Sequence, residues 1–419
     1  MARATSLFDS VESLGLRHRV VLAPLTRQRA AEPSLAPTHL HVEYYAQRAS
    51  PGGLVITEAV YISPEALAYP GAPGIWTAEQ TERWKSVTAA VHAKGGKISI
   101  QLWHTGRIGH PSFGKHPLVA ESGRPIPSVS SSAVPFTHPR TGKLMWTSTY
   151  EGKEEHVTPR ALTRAGIQRV CKDYQDAARN AVEAGFDYVE LHAAHGYLVD
   201  QFLQNGVNHR SDEYGGSVEN RCRFLFEVVD ALTDVVGRGR VAVRLSPTTF
   251  VNGRQNQLYF GATDTNPDAV YEHAVNGLNR HGLAYLLLTE PRWNGRDDDD
   301  VTKDKGIRKP LSNAHYRQIY KGTLMAGGGF TPASAKKAVA DGTYDLIAFG
   351  RWFISNPDLP DKLRRGSPLN VYRRASFYEG GADGYVDYPS EDGLLGETGK
   401  YPLMEQDRVG ASLLSAKLC

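Results

Sequence analysis

Short apolar runs recur along the chain, each followed by a stretch with helical spacing. The runs at 19–24, 54–59, 97–103, 188–192, 241–245, 285–289, 323–326 and 346–349 predict eight strands. Helical patterns are clearest at 78–94, 164–184, 218–236, 267–280 and 332–341. In the second of these, Ile167, Val170, Cys171, Tyr174, Ala178 and Ala181 form one apolar stripe. Strands alternating with helices imply a parallel sheet, and eight such units predict an α/β fold, a closed (β/α)8 TIM barrel. The stretch before Arg19 is short and polar enough to lie as a lid across the barrel's bottom.

Parity along the strands separates two environments. Across 97–103, Ile98, Ile100 and Leu102 share one side, and Ser99, Gln101 and Trp103 the other. Val189 and Leu191 oppose Tyr188, Glu190 and His192, while Val241, Val243 and Leu245 oppose Ala242 and Arg244. The aliphatic set faces the helices, so the polar set points into the barrel. An amide and a guanidinium there are costly unless partnered, and packing alone does not select Gln101 and Arg244. Either a polar ligand meets them or they pair internally, for instance with Glu190.

The densest chemistry is V-E-L-H-A-A-H-G-Y at 189–197, which runs off the end of the fourth strand. His192, His195 and Tyr197 can direct three hydrogen bonds into one small volume. That suits holding a carbonyl oxygen and delivering a proton beside it. A rim of satisfied core residues is the bland alternative. A metal pair is a third, weakened because no further ligand stands nearby at ligand spacing. After the seventh strand comes A-G-G-G-F-T-P at 326–332, and after the eighth F-G-R at 349–351. Gly328 and Gly350 let the backbone approach an anion, Thr331 and Pro332 suit a helix start, and Arg351 adds a fork of donors. Loops seven and eight are the usual phosphate site of a barrel, although a plain strand-to-helix turn also uses glycine.

With 419 residues, 41% hydrophobic and 22% charged, the chain accommodates one barrel with large loops. A single domain over 1–419 is expected, with no interdomain linker. Inserts at 108–160, 251–266 and 294–309 leave the carboxyl ends of strands and should border the active-site mouth. The third carries D-D-D-D and then K-D-K-G-I-R-K, which reads as a solvated loop. A net charge of +3 predicts no nucleic-acid partner, and no stretch approaches the ~20 apolar residues of a membrane span. Cys171, Cys222 and Cys419 lie far apart, as in a reducing compartment. The start lacks the apolar run of a signal peptide, and S-A-K-L-C at the end is a peroxisomal tripeptide displaced by one residue. The expectation is a cytoplasmic protein.

Ordered motifs identify a family. They are A-P-L-T-R at 23–27, E-Y-Y-A-Q-R-A-S at 43–50, Y-P-G-A-P-G-I-W at 69–76, Q-L-W-H-T-G-R at 101–107 and T-P-R-A-L-T at 158–163. The long run from Gly185 through Phe224 follows, then F-G-R-W-F-I-S-N-P-D-L at 349–359 and F-Y-E-G-G-A-D-G-Y-V-D-Y-P at 377–389. From about Leu7 to Pro389 the chain resembles the Old Yellow Enzyme family of FMN-dependent ene-reductases. The segment between Arg107 and Thr158 is longer than is usual for that family, and 294–309 is enlarged. Substrate identity is therefore open. The signature H-R-S-D-E-Y-G-G-S-V-E-N-R at 209–221 reads as architectural, with a helix starting at Ser217.

The resemblance implies FMN as bound cofactor and NADPH as hydride donor. By it, Thr26 would contact the flavin C4 carbonyl, Gln101 the pyrimidine edge, and Arg244 the N1 and C2-carbonyl side. Pro24 and Ala59 would pack against or bond to the ring system, and Gly328, Gly350 and Arg351 would hold the phosphate. His192 and His195 would bind the substrate's carbonyl oxygen, with Tyr197 as proton donor. Tyr69, Trp103 and Tyr378 would line the substrate side. No metal is implied. The implied reaction reduces the activated C=C bond of a small α,β-unsaturated carbonyl compound, in a specialised biosynthetic pathway, by a monomer or homodimer. Rival readings are net isomerisation or desaturation on the same scaffold, a flavin-free barrel lyase or isomerase, and a non-catalytic flavin-binding protein. Tyr197 favours reduction over the first, and the presence of all three of His192, His195 and Tyr197 opposes the last.

Overall fold

The eight apolar runs pair into one closed parallel barrel. Its strands are β1 (Val20–Leu22), β2 (Leu54–Tyr61), β3 (Lys97–Trp103), β4 (Tyr188–His192), β5 (Val241–Leu245), β6 (Leu286–Thr289), β7 (Leu324–Gly327) and β8 (Leu346–Phe349). Each strand pairs with its neighbours in sequence, and β8 closes on β1 through Val20–Ile347 and Leu22–Phe349. The computed structural model describes residues 5–120, 126–139, 141–248, 250–251, 254–255, 259–291 and 312–391. The insert at 294–309, Cys419 and the S-A-K-L-C end lie outside them.

Helices α1 (His39–Arg48), α2 (Ala78–Ala93), α3 (Arg164–Glu183), α4 (Val218–Val236), α5 (Pro267–Leu278) and α6 (Pro332–Ala340) return the chain between strands. In α3 the Thr163 side chain caps the first turn by accepting from Gly166 N. Such a cap is worth ~1 kcal/mol. Ile167, Val170, Tyr174, Ala178 and Ala181 are buried against the barrel, while Cys171 sits half-buried at the stripe's edge. Helix α1 has no such apolar stripe, because it also buries His41, Glu43 and Arg48. These polar groups mask its period.

The barrel interior is layered. A lower apolar plug joins Val21, Leu54, Ile56, Tyr188, Ala242, Tyr285, Leu287, Met325, Leu346 and Ala348. Val11, Leu14 and Leu16 belong to the same cluster, and Tyr188 donates its hydroxyl to Leu14 O at 3.0 Å. The N-terminal segment is therefore the lid expected from its length. Above the plug lies a polar layer. There Gln101 Nε2 donates to Glu190 Oε1 at 2.5 Å, while within the plug Tyr285 donates to Ser99 Oγ at 2.9 Å.

The 209–221 signature is a folding device. Arg210 grips Asp212 through both carboxylate oxygens and donates to Ser131 O at 3.0 Å. Ser217 caps α4 by accepting from Asn220 N. One turn on, buried Arg221 donates to Leu203 O and pairs with Asp264, whose Oδ2 also accepts from Asn205 N at 2.9 Å. Arg221→Met should therefore leave a buried carboxylate without its counter-ion and cost about 3–5 kcal/mol. Urea unfolding checks this, and a midpoint unchanged from wild type would refute it.

Candidate active site at the carboxyl ends of the strands

A cavity of about 940 Å³ opens at the top of the barrel. Its floor and walls include Pro24, Thr26, Gln101, Arg244, Gly328, Gly350 and Arg351, together with Tyr69, Trp103, His192, His195, Tyr197 and Tyr378. Among the residues that the family resemblance assigns to flavin or substrate, Ala59 alone does not line it. The β2–β3 register shifts between Ile56 and Ala59, and Ala59 then pairs with Gln101.

Arg244 and Gln101 rise from the floor. Arg244 is half-buried, and its Nε donates to Thr289 Oγ1 at 3.3 Å. Burial lowers the Arg244 pKa, opposed by the Glu190 carboxylate, and burial raises that of Glu190, opposed by Arg244. The two directions agree: desolvation outweighs the attraction between the partners. Gln101 both pairs with Glu190 and lines the cavity, so an internally paired amide also faces the open space.

His192 ends β4, and His195 follows on left-handed backbone with φ of 59°. Their rings stand at 84° with centroids 5.4 Å apart. His192 Nδ1 faces the Ala194 N–H at 3.4 Å, which places the proton of a neutral ring on Nε2. Burial, then the Arg244 cation, hold both imidazoles well below their ordinary pKa, with His192 lowering His195 further. Both rings are neutral donors at physiological pH. The Tyr197 ring stands edge-on to Trp103 at 4.8 Å and to His192 at 5.1 Å. Its hydroxyl lies 3.3 Å from that of Tyr69, and burial pushes both phenols up. Tyr197 therefore keeps its proton. Trp103 is itself stacked between Tyr61 at 5.0 Å and Tyr69 at 5.6 Å, which fixes the wall.

Opposite the imidazoles, Gly328 and Gly329 have φ of 102° and 67°, conformations that glycine adopts without a Cβ penalty. Thr331 caps α6 through Ser334 N, with Pro332 in its first turn. Arg351 donates to Tyr372 OH at 3.2 Å and lines the cavity. Among the described residues, no group of three or more His, Cys, Asp or Glu could hold a metal ion.

Sequence reading missed much of the mouth. Phe136, Trp146, Thr147, Ser148 and His156 come from the insert after β3, and Tyr259 and Phe260 from the insert after β5. Residues of both inserts line the cavity. Arg107 straps them together, donating to Val134 O at 3.1 Å and to Phe260 O at 2.8 Å. Gln201 locks the loop beneath. Its Nε2 donates to Thr105 O at 3.1 Å and Gly196 O at 2.8 Å, and its Oε1 accepts from Arg107 N at 3.1 Å. A Cβ on Gly196 would lie 2.2 Å from Tyr259 O, so only glycine permits this approach. Thr289, on the inward side at the end of β6, was readable from strand parity.

A model of the NADH:flavin oxidoreductase / NADH oxidase family matches residues 7–370. The chain is 42% identical over 379 residues to 12-oxophytodienoate reductase 2 of Arabidopsis thaliana, a match covering 90% of this chain and 92% of that protein. Morphinone reductase superposes with a TM-score of 0.80 at 41% identity, covering 96% of this chain and 99% of the other. A structure of morphinone reductase in complex with tetrahydroNAD gives 0.78 at 41% identity, covering 95% and 100%. Motifs, barrel and relatives agree, and the chain belongs to the NADH:flavin oxidoreductase / NADH oxidase family, the Old Yellow Enzymes.

Proposed function

We propose that this protein is an FMN-dependent ene-reductase that takes hydride from NADPH and reduces the C=C bond of an α,β-unsaturated carbonyl compound. The observation that carries the reading is the convergence of two neutral imidazoles and a protonated phenol above Gln101 and Arg244. The residues fit FMN. A half-buried guanidinium and an amide suit a ring edged with carbonyls and nitrogens, with Pro24 and Thr26 alongside. Gly328, Gly350 and Arg351 offer backbone N–H groups and a donor fork to its phosphate. When bound there, FMN supplies the chemistry of hydride acceptance from a reduced nicotinamide and hydride delivery to the substrate's Cβ.

The protein's own part is binding and proton transfer. His192 and His195 donate to the carbonyl oxygen, where negative charge develops as hydride arrives at Cβ. One such preorganised donor typically lowers the barrier by ~2.7–4 kcal/mol. Tyr197 gives its proton to Cα. The Tyr69 hydroxyl stands beside it to support the phenolic oxygen left behind.

Substrate size follows from the mouth. Trp146 and Tyr378 are 53% and 61% exposed at its rim, and Phe136 and Phe260 line the way in. An apolar extension on the enone suits that approach. Relatives named as reductases of 12-oxophytodienoate and morphinone support a carbonyl compound of this kind. No helix among the described residues is long and apolar enough to cross a membrane. The free thiols of Cys171 and Cys222 support a cytoplasmic location.

The purified protein should show a flavin absorbance spectrum that NADPH bleaches anaerobically and an enone restores; a colourless protein with no affinity for FMN would end this reading. Tyr197→Phe should leave NADPH oxidation near wild type and slow reoxidation by an enone by about 10²–10⁴-fold. Stopped-flow measurement of the two half-reactions checks it, and the assignment fails if the slowed step is NADPH oxidation. Arg244→Met should weaken FMN by about 10–100-fold, the loss expected of a hydrogen bond to a charged group. It should also lower the flavin's reduction potential, since the cation stabilises the reduced anion. An unchanged potential would place Arg244 away from the flavin. Arg351→Ala should weaken FMN more than riboflavin, and equal losses by fluorescence titration would detach Arg351 from the phosphate.

A further inference from the structure

His195 is held at two points by neighbouring strands. Its backbone N–H donates to Ser246 Oγ, just past β5, at 2.8 Å, and this steadies a left-handed conformation that a non-glycine residue rarely adopts. Its ring meets β6, where Nε2 lies 3.0 Å from Thr289 Oγ1. The same hydroxyl oxygen accepts the Nε–H of Arg244 at 3.3 Å. Thr289 is only 1% exposed.

Counting protons at this hydroxyl decides its orientation. A guanidinium can only donate, so Arg244 takes one Thr289 lone pair. Thr289 keeps its own proton and one further lone pair. The ring is neutral, because burial and the Arg244 cation hold His195 well below its ordinary pKa. Two arrangements remain. If Nε2–H donates to Thr289, the buried hydroxyl proton has no acceptor among the described residues, a loss that typically costs more than the bond is worth. If Thr289 O–H donates to Nε2, the arginine, hydroxyl and ring are all satisfied. The second arrangement also places the remaining ring proton on Nδ1, where it can serve as a donor to an oxygen in the cavity.

We infer that Thr289 is a positioning residue for the substrate: its hydroxyl, bridging Arg244 and His195, fixes the His195 tautomer so that Nδ1–H is the donor offered to the carbonyl oxygen. This rests on the reading of His195 as a carbonyl-binding donor. Thr289 touches no reacting atom. It sets which nitrogen carries the proton, and it ties the floor cation to the substrate-binding ring.

The test uses the FMN-loaded protein with para-chlorophenol, whose oxygen stands in for the polarised carbonyl oxygen, titrated by the change in flavin absorbance. Thr289→Val should weaken chlorophenol by about tenfold, the scale of one lost hydrogen bond whose buried partner is left unsatisfied. Thr289→Ser should bind within about twofold of wild type, because it restores the hydroxyl. In a His195→Ala background, Thr289→Val should cost nothing further, since its effect passes through the ring. Nitrogen-15 NMR of the histidine rings should show His195 protonated on Nδ1 in wild type and in Thr289→Ser, with a shift toward Nε2 in Thr289→Val. A wild-type ring protonated on Nε2 overturns the inference without any variant. So does an equal loss from Thr289→Val in the presence and absence of His195, which would route its effect through Arg244 or packing. Unchanged chlorophenol affinity in His195→Ala overturns the underlying reading of His195 itself.

Discussion

A cation enclosed at the top of a parallel barrel is the constraint on which the rest of this molecule depends. Arg244 points inward from β5, where desolvation lowers its pKa despite the nearby Glu190 carboxylate. Replacing its lost hydration takes several groups. Glu190 supplies opposite charge, Thr289 accepts a hydrogen bond, and Gln101 holds Glu190 in place. None of these could sit in an apolar core without the others. The barrel accordingly divides into an apolar plug sealed by the N-terminal segment and a polar storey above it. Stability and chemistry occupy different heights of one cylinder.

The cation also shapes the groups above it. It helps keep His192 and His195 uncharged, so that two imidazoles can stand with centroids 5.4 Å apart without mutual repulsion. Neutral rings donate hydrogen bonds without bringing the desolvation cost of further charges. Tyr197 is kept protonated by the same dry surroundings. Arg244 thus conditions the donors as well as offering charge to whatever lies against the floor.

Much of this was legible in the sequence, because a barrel strand writes its environment in alternate residues. Gln101, Glu190, His192 and Arg244 stood out as polar positions on the inward side of apolar runs, and the structure brings them together. The glycines after β7 and β8 were legible through backbone chemistry. In β2 a register shift between Ile56 and Ala59 breaks the alternation that parity reasoning needs, and Ala59 was named through the family resemblance instead. Phe136, Trp146, Tyr259 and Phe260 escaped sequence reading. They lie on inserts without a helical or strand period long enough to read, which Arg107 holds through Val134 O and Phe260 O across long stretches of chain. Helix α1 escaped because its buried face mixes charged and aromatic side chains.

The Arg107 strap bears on how such a mouth can diversify. One buried guanidinium holds carbonyls from two separate inserts, and burial already draws its pKa down to about 10. Exchanging either insert alone would strand that guanidinium with half its acceptors, at the cost of an unsatisfied buried donor. The two loops are therefore a single heritable module. Swapping substrate range between barrels of this kind, in evolution or at the bench, calls for both to be transplanted together with the arginine that clasps them.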